Sequence, residues 1–335
     1  MATAAQWLSA TRPRTLSAAI APVLSGTAIA AFAPGKGLDG SWERPGGLTI
    51  VIAIKALACL LVALGLQIGS NFANDYADGV RGTDDHRIGP TRLVASGQAS
   101  PLLVKRAAWL SMGLAVVIGL ALLIPLAWSY WLAGQGLWVT IACLLVGLAC
   151  VWAAWSYTAG HHPYGYIGLG ELFVFVFFGL VATIGTVVVL RPPGLPVESS
   201  AGLNPPIPWA ATWVLAIVMG LLACAILVAN NLRDIAEDRA SGKLTLPARL
   251  GDHPSRVLYV GLIGLAQLLI VLLAMMISYW LLLGLLGLLL AAPACHRVWS
   301  GASGRSLIAV LAASGRAQLL AAIGLLAGLI LNWWL

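Results

Sequence analysis

Nine long apolar segments alternate with short polar ones along the chain of 335 residues. Each is close to the roughly 20 residues that an α-helix needs to cross the hydrocarbon core of a bilayer. The pattern predicts an all-α integral membrane protein with a single polytopic domain over residues 1–335. The predicted spans cover residues 15–33, 49–71, 104–127, 134–156, 167–190, 209–231, 257–277, 279–296 and 315–335.

Composition supports the same fold class. Hydrophobic residues make up 60% of the chain, charged residues make up 9%, and the mean hydropathy is +0.92. A soluble fold is excluded because it would carry far more charge on its surface. All five cysteines fall within or at the end of an apolar segment and none forms a CxxC pair, so we expect them to pack within the bundle.

Basic residues are distributed unevenly between alternate connections. The amino terminus, the segments near 72–106, 157–166, 230–256 and 297–314, and Arg316 at a span edge hold 15 of the 19 Lys and Arg residues. Because basic residues favour cytoplasmic loops, we predict an amino terminus inside and a carboxyl terminus outside, in a prokaryotic cytoplasmic membrane. The net charge of +7 therefore belongs to one membrane face and gives no indication of nucleic-acid binding.

Two acidic clusters lie where the second and sixth predicted spans end. Seven of the twelve acidic residues fall within 75–85 and 234–238. Carboxylates at a membrane boundary are costly to desolvate, so they indicate a ligand. The first cluster contains Asn71, Asn74, Asp75 and Asp78, with Asp84 and Asp85 following, and the second contains Asn230, Arg233, Asp234, Glu237 and Asp238.

Helical spacing places each cluster on one face of a helix. The first cluster has spacing i, i+3, i+4, i+7, and the second has spacing i, i+4, i+7, i+8 from Asn230. Carboxylates four residues apart repel, and a divalent cation would remove that repulsion. Mg²⁺ prefers oxygen ligands and completes its shell with water and substrate phosphates. We therefore predict Mg²⁺ as the cofactor, with the metal ligands Asp75, Asp78, Asp234 and Asp238. On spacing alone, Asp84 and Asp85 either join them or only solvate the loop, and the resemblance described below adds Asp84 to the metal ligands.

The neighbouring basic and amide side chains suit a diphosphate. Arg and Lys bind phosphate oxygens, and stabilising the charge on a leaving diphosphate promotes ionisation of an allylic ester. One such cluster alone is equally a solvated helix end, whereas two of the same composition favour a ligand site. The candidate catalytic residues are Asp75, Asp78, Asp234 and Asp238. The candidate substrate-binding residues of the clusters are Asn71, Asn74, Arg81, Arg87, Arg92, Asn230, Arg233, Arg239 and Lys243.

The clusters also form a weak internal repeat. Each follows an apolar helix and continues into Arg or Lys, Gly and Thr, and the two helices are four apart in chain order. We predict two pseudo-repeat halves, roughly 1–156 and 157–335. Halves that face each other would bring both acidic ends to one cavity.

The motif residues resemble a known family. Asn74-Asp75-Tyr-Ala-Asp78 with Asp84, and Asp234-Ile-Ala-Glu237-Asp238, are similar to the two aspartate-rich motifs of the UbiA-type intramembrane prenyltransferases. The resemblance implies about nine transmembrane helices around a central cavity, and a cytoplasmic cap from the loops after helices 2 and 6. It also implies Mg²⁺-dependent transfer of an isoprenoid chain to an aromatic acceptor. The family spacing is not fully kept, because Gly82 stands where a third Asp would fall and Asp84 is the expected substitute.

A stretch in the middle of the chain makes the resemblance more specific, because it points to one subgroup of the family. Tyr157-Thr-Ala-Gly160, then Gly165 to Gly179 with Glu171, and the opening Thr11-Arg-Pro-Arg-Thr15 resemble members that use 1,4-dihydroxy-2-naphthoate. This implies transfer of a polyprenyl group from an allylic polyprenyl diphosphate, with loss of CO₂ and diphosphate, to give a demethylmenaquinone-type product. The resemblance adds Tyr157 and Glu171 to the candidate substrate-binding residues. It does not define the prenyl chain length.

The residues of this stretch have alternative interpretations on their own. Tyr157 either stacks on the acceptor ring or belongs to the interfacial aromatics. Glu171, near the start of an apolar span, either pairs with a neighbouring helix or forms part of the acceptor site or a proton route. His161 and His162 are adjacent, which suits no helical metal pair, so we expect a solvated loop, with a contact to the acceptor carboxylate as the alternative.

Other functions compete with this prediction. Within the family, 4-hydroxybenzoate and haem are alternative acceptors, and a CDP-alcohol phosphotransferase would also use clustered aspartates. A cation-coupled transporter is the alternative from another class. Transporters generally place such charges near the bilayer midplane on broken helices. Here the acids lie at one face beside cationic residues, which favours diphosphate chemistry.

Overall fold

Helices account for nearly all the regular structure in a computed structural model of the protein, which describes residues 2–36, 42–83, 92–134, 136–192 and 206–335. Two-residue strands β1 (Gly35–Lys36) and β2 (Trp42–Glu43) pair antiparallel between the first two spans. Three short 3₁₀ segments cover Pro13–Thr15, Tyr164–Ile167 and Tyr279–Gly287, and Phe175–Val181 is a π-helix. The α-helices are α1 (Ala4–Ala10), α2 (Ser17–Phe32), α3 (Ile50–Arg81), α4 (Pro101–Leu132), α5 (Trp138–Ser156), α6 (Gly170–Val174), α7 (Ala182–Leu190), α8 (Trp209–Arg233), α9 (Ile235–Ala240), α10 (Leu246–Leu250), α11 (Asp252–Met276), α12 (Leu288–Trp299) and α13 (Ser306–Trp334).

The predicted membrane architecture is confirmed. Within the described ranges, 8 helices are long and apolar enough to cross a membrane, and the count is 9 when the bent amino-terminal pair is one span. That pair, Ala4–Thr15 and Ser17–Phe32, bends by 55°. The fifth span, Gly170–Leu190, joins α6, the π-helix and α7, and the eighth, Tyr279–Trp299, joins a 3₁₀ segment to α12.

Helix α8 is the centre of the bundle. In its most apolar 18-residue window, 78% of the residues are buried inside the protein, whereas the share is 6% in α5. A helix that is apolar on all sides is suited to such burial, because every face meets another helix. Helices α2, α11 and α13 pack against α8, and Met219 and Leu222 belong to the main hydrophobic cluster between them. Helix α5 therefore lies at the edge of the bundle, with most of its surface exposed.

Glycine allows α8 and the fifth span to approach closely. A Cβ on Gly179 would lie 2.5 Å from Cα of Gly220, and a Cβ on Gly220 would lie 2.7 Å from the Phe175 ring. A side chain at Gly179 would require a shift of the α8 backbone, and one at Gly220 would require a shift of the Phe175 ring. Small residues at the contact, with dispersion between backbones, are a common way to join helices in a bilayer.

Both acidic clusters differ in local structure from the simplest expectation. Helix α3 continues ten residues past the predicted end at 71 and stops at Gly82, whose positive φ of 74° suits glycine. The first cluster therefore lies on a regular helix, as its spacing predicts. The second cluster does not lie on one continuous helix, because α8 ends at Arg233 and α9 begins at Ile235. Asp234, at φ −99° and ψ 10°, forms this break.

The last helix packs on the 3₁₀ segment of the eighth span through glycines. A Cβ on Gly324 would collide with the carbonyl of Leu283, and one on Gly328 with the carbonyl of Trp280. We expect Gly324→Val to lower the thermal unfolding midpoint in detergent and reduce the yield of monodisperse protein. Overpacking of this kind typically costs about 1–3 kcal/mol or more.

A matched variant separates this packing effect from helix propensity. Gly264→Val changes an exposed glycine of α11 whose Cβ would meet nothing within 4 Å. We expect its midpoint to stay close to that of the unmodified protein. Equal midpoints for the two variants would contradict the close contact at Gly324.

Candidate functional site

A large cavity of about 1140 Å³ lies within the bundle. Most of its wall is apolar and comes from α3, α4, α5 and the fifth span. Polar and charged side chains line one end, which we call the polar end. The polar end consists of Arg12, Asn71, Asn74, Arg92, Tyr157, Asn230, Asn231, Arg233, Asp234, Asp238 and Lys243.

The carboxylates of the first motif are buried and bonded to protein groups. Asp75 accepts the backbone N–H groups of Leu93 and Val94, each at 3.0 Å. Asp78 accepts the Tyr166 hydroxyl at 2.7 Å. Asp75 is 0% exposed and Asp78 is 1% exposed. Both therefore lie behind the cavity wall and fix segments that close its polar end.

The second motif holds its carboxylates differently. Arg233 donates to both oxygens of Asp234, at 2.5 and 2.7 Å, in a bidentate pair. The same guanidinium donates to Asn230 at 3.0 Å. Asp238 accepts the Thr245 hydroxyl at 3.0 Å. Both carboxylates line the cavity, and the break in the helix lies at the first of them, Asp234.

Lys243 connects the two motifs. Its ammonium nitrogen lies 3.4 Å from Oδ2 of Asp78 and 4.0 Å from Oδ1 of Asp238. It also lies 5.2 Å from the centre of the Tyr166 ring, a cation–π distance. The side chains of Asp78 and Asp238 are 2% and 10% exposed, so the lysine compensates two desolvated charges. Sequence spacing alone did not place these two aspartates at one cation.

Tyr166 is a site residue that the predicted substrate-binding set did not include. Besides its bond to Asp78, its backbone carbonyl accepts Leu244 N–H at 2.9 Å, and Arg81 lies 5.2 Å from its ring centre. Burial and the adjacent Asp78 carboxylate raise the pKa of the Tyr166 phenol. The phenol is therefore protonated at neutral pH and donates to Asp78. Two signals in the sequence pointed to it, its position in a Tyr-rich segment between two spans and its place in the Gly165–Gly179 stretch that carries the resemblance.

The amino-terminal segment also reaches the polar end. The Arg12 guanidinium donates to Oδ1 of Asn74, and the Asn71 amide donates to the Thr11 carbonyl at 2.8 Å. Arg12 has φ 56° and ψ 64°, the only left-handed non-glycine conformation among the described residues. In the sequence, the segment Thr11–Thr15 was notable only because it resembles the same segment of the family. The structure places Arg12 on the cavity wall beside the first motif.

Several predicted substrate-binding residues lie outside the cavity surface. Arg81 donates to the carbonyls of Thr158 and Gly160, and Arg239 donates to the carbonyl of Ala248 at 2.8 Å. Both side chains hold loops near the polar end rather than line it. Arg92, buried at 9% exposure, does line the cavity.

The middle stretch divides into a buried and an exposed part. Tyr157 lines the polar end, and Glu171 lies behind it, 7% exposed, accepting the Asn231 amide at 3.0 Å. His161 and His162 are exposed, as the solvated-loop interpretation predicts. Asp84, Asp85 and Arg87 lie outside the described residues.

The donor set at the polar end can be compared with what Mg²⁺ requires. Within the described ranges, no group of three His, Cys, Asp or Glu side chains is arranged to hold a metal. Asp78 and Asp238, however, both face one cationic group, Lys243. Mg²⁺ needs only one or two carboxylates when substrate phosphates and water complete its shell. The residues therefore fit a divalent cation that enters with a diphosphate.

Comparison with known proteins defines the family. A model described as the UbiA prenyltransferase family matches residues 19–314. The chain belongs to the UbiA prenyltransferase family. The resemblance drawn from the two aspartate-rich motifs is thereby confirmed.

Relatives in bacteria match most of the chain. The 1,4-dihydroxy-2-naphthoate octaprenyltransferase of Mycobacterium tuberculosis (strain ATCC 25618 / H37Rv) is 43% identical over 323 residues, which cover 96% of each chain. The protein of the same name in Escherichia coli (strain K12) is 37% identical over 251 residues, covering 75% of this chain and 70% of that relative.

Solved structures of UbiA homologues share the fold. The apo structure of a homologue from Aeropyrum pernix K1 has a TM-score of 0.63 at 17% identity and covers 95% of this chain and 97% of its own. A homologue from Archaeoglobus fulgidus bound to DMAPP and Mg²⁺ has a TM-score of 0.55 at 14% identity. The match covers 97% of this chain and 99% of that homologue. At such identities the comparison establishes the helical architecture.

The Tyr166–Asp78 bond generates a prediction about stability. Tyr166→Phe removes the hydroxyl and with it one hydrogen bond to the buried Asp78 carboxylate. We therefore expect the free energy of unfolding to fall by about 1–3 kcal/mol, measured as a lower thermal midpoint in detergent. Tyr76→Phe is the control, because its ring packs against Trp155 at 6.3 Å and its hydroxyl is not part of the polar end. Equal midpoints for the two variants would show that the Tyr166 hydroxyl does not hold Asp78.

Proposed function

We propose that this protein transfers a polyprenyl group from an allylic polyprenyl diphosphate to 1,4-dihydroxy-2-naphthoate, with release of diphosphate and CO₂. The product is a demethylmenaquinone-type quinol for quinone biosynthesis. One observation carries the proposal: a long apolar cavity ends in a cluster of carboxylates, amides and cations contributed by both motifs. The names of relatives at 43% and 37% identity support this choice of acceptor.

The polar end suits the head of the donor substrate. Arg12, Arg233 and Lys243 supply positive charge beside Asn74 and Asn230, so diphosphate oxygens find both charged and neutral donors there. Asp234 and Asp238, which line the cavity, with Asp78 beside them and the predicted Asp84, would hold Mg²⁺, which would neutralise charge on the leaving diphosphate. Asp75, whose two oxygens accept backbone N–H groups, would support this set by anchoring the segment after α3. The solved homologue bound to DMAPP and Mg²⁺ supports this cofactor.

The reaction balances without another reagent. The allylic C–O bond breaks and its electron pair leaves with diphosphate. An electron-rich ring carbon that carries the carboxylate forms a bond to the allylic carbon, and the electrons of its bond to the carboxyl carbon restore the aromatic ring as CO₂ leaves. The apolar wall excludes water, which would otherwise capture the allylic cation. Tyr157 lines the cavity beside the polar groups, which supports a contact with the acceptor ring.

The proposed location is a prokaryotic cytoplasmic membrane, with the amino terminus and the polar end on the cytoplasmic side. The basic residues support this orientation because 15 of 19 fall on segments assigned to that side. Fusion of a reporter that is active only in the periplasm to the carboxyl terminus would give activity, and a cytoplasmic reporter at the same position would not. The reverse result would overturn the proposed orientation.

Product formation by purified protein in detergent tests the proposal. Octaprenyl or geranyl diphosphate is offered with either 1,4-dihydroxy-2-naphthoate or 4-hydroxybenzoate, with Mg²⁺ or with a chelator. We expect product only from the naphthoate and only with Mg²⁺. Prenylation of the benzoate would support prenyl transfer but overturn the choice of naphthoate as the acceptor. Folded protein that gives no product from either acceptor would point to a phosphotransferase or a transporter.

Substitution of the second motif gives a sharper measurement. We expect Asp238→Asn to lower kcat/KM by about 100-fold or more, since it removes charge at the site where diphosphate leaves. Glu237→Gln is the matched control, because Glu237 is the adjacent acid and does not line the cavity. Similar losses in both variants would indicate a general effect of α9 rather than a role for Asp238.

A further inference from the structure

The cavity continues far beyond the polar end, between α5 and the fifth span. On α5, Val139, Cys143, Gly147 and Cys150 face it at helical spacing, and Tyr157 marks its polar end. Since a helix rises 1.5 Å per residue, the distance along α5 from Tyr157 to Val139 is about 27 Å. The cavity therefore extends across most of the thickness of a bilayer core.

Two glycines on different helices border this extension. Gly147 on α5 and Gly185 on α7 both line the cavity, and a Cβ built on either would meet nothing within 4 Å. Gly179, on the same span as Gly185, behaves in the opposite way because its Cβ would strike Gly220. Helix packing thus requires glycine at 179 and does not require it at 147 or 185.

Glycine in a helix interior has a cost, because it is a poorer helix former than alanine or leucine. Residues 147 and 185 are therefore not explained by helix stability or by contact with a neighbouring helix. What a side chain at either position would fill is the cavity itself. Helix α5 packs on α3 and α4, which leaves its face toward the fifth span along the cavity.

We propose that Gly147 and Gly185 form a slot that admits the far part of the isoprenoid chain and so determine the longest chain accepted. The inference rests on the proposed function, because the occupant is the tail of the diphosphate bound at the polar end. Gly147 lies about 15 Å along α5 from Tyr157. Gly185 lies 14 residues beyond Glu171 on the fifth span, across the π-helix. A short chain ends before the slot, whereas a long chain must pass through it.

The test compares a long and a short donor in one reaction. Gly185→Leu, Gly147→Leu and the double variant are given an equal mixture of geranyl and octaprenyl diphosphate, and the two products are quantified by mass spectrometry. We expect the octaprenyl-to-geranyl ratio to fall about 10-fold or more, since the leucine overfills the slot. The kcat/KM for geranyl diphosphate stays within about 2-fold, because that chain does not reach the leucine.

Gly261→Leu is the matched control for helix propensity and hydrophobicity. Gly261 is an exposed glycine of α11 with nothing within 4 Å of its Cβ, and it does not line the cavity. We expect its product ratio to equal that of the unmodified protein. Thermal midpoints in detergent verify that all variants are folded.

Binding without an acceptor separates this proposal from the proposed function. Isothermal titration with each diphosphate measures affinity even if the naphthoate is the wrong acceptor. The slot predicts weaker octaprenyl binding in Gly185→Leu and Gly147→Leu with geranyl binding retained. An unchanged ratio of affinities, or an equal loss for both chains in folded variants, would overturn the slot, whereas binding as predicted with no product would overturn only the acceptor assignment.

Discussion

The buried charge of Asp78 is the constraint on which the polar end of the cavity depends. This carboxylate is 1% exposed, and a desolvated charge requires partners with good geometry. Its partners come from separate parts of the chain, since Tyr166 precedes the fifth span and Lys243 follows α9. The second span, the loop before the fifth and the loop after the sixth must therefore assemble together around one side chain.

Other carboxylates extend the same principle. Asp75 binds the backbone at Leu93 and Val94, so the chain that returns toward α4 is anchored to the end of α3. Asp234 is paired with Arg233 at the point where α8 ends. Asp75 thus has two consequences, because it contributes charge near the cavity and holds the backbone of the polar end. Substitution of Asp75 is expected to affect both, whereas Asp238 is the better probe of chemistry because it lines the cavity itself.

Glycine has two opposite uses in this bundle. At Gly179, Gly220 and Gly324 it allows one backbone to touch another, and the α8 core is built on such contacts. At Gly147 and Gly185 it leaves space. The close contacts join helices of the bundle core. The two open glycines leave apolar volume in the cavity lined by α5 and the fifth span. A long hydrophobic substrate needs both, because the volume persists only if the rest of the bundle is tightly packed.

The sequence by itself determined the fold class and the family. Nine apolar segments of sufficient length leave few alternatives to a helical membrane bundle, because backbone groups in lipid must be satisfied within each segment. The spacing from Asn71 to Asp78 also predicts one helix face, and α3 has that form. Only the tertiary structure decided which residues meet. The break at Asp234, the sharing of Lys243 by Asp78 and Asp238, and the approach of Arg12 to Asn74 depend on contacts between residues far apart in the chain. No local pattern encodes such contacts, just as no local pattern distinguishes Gly179, which touches a backbone, from Gly185, which faces a cavity.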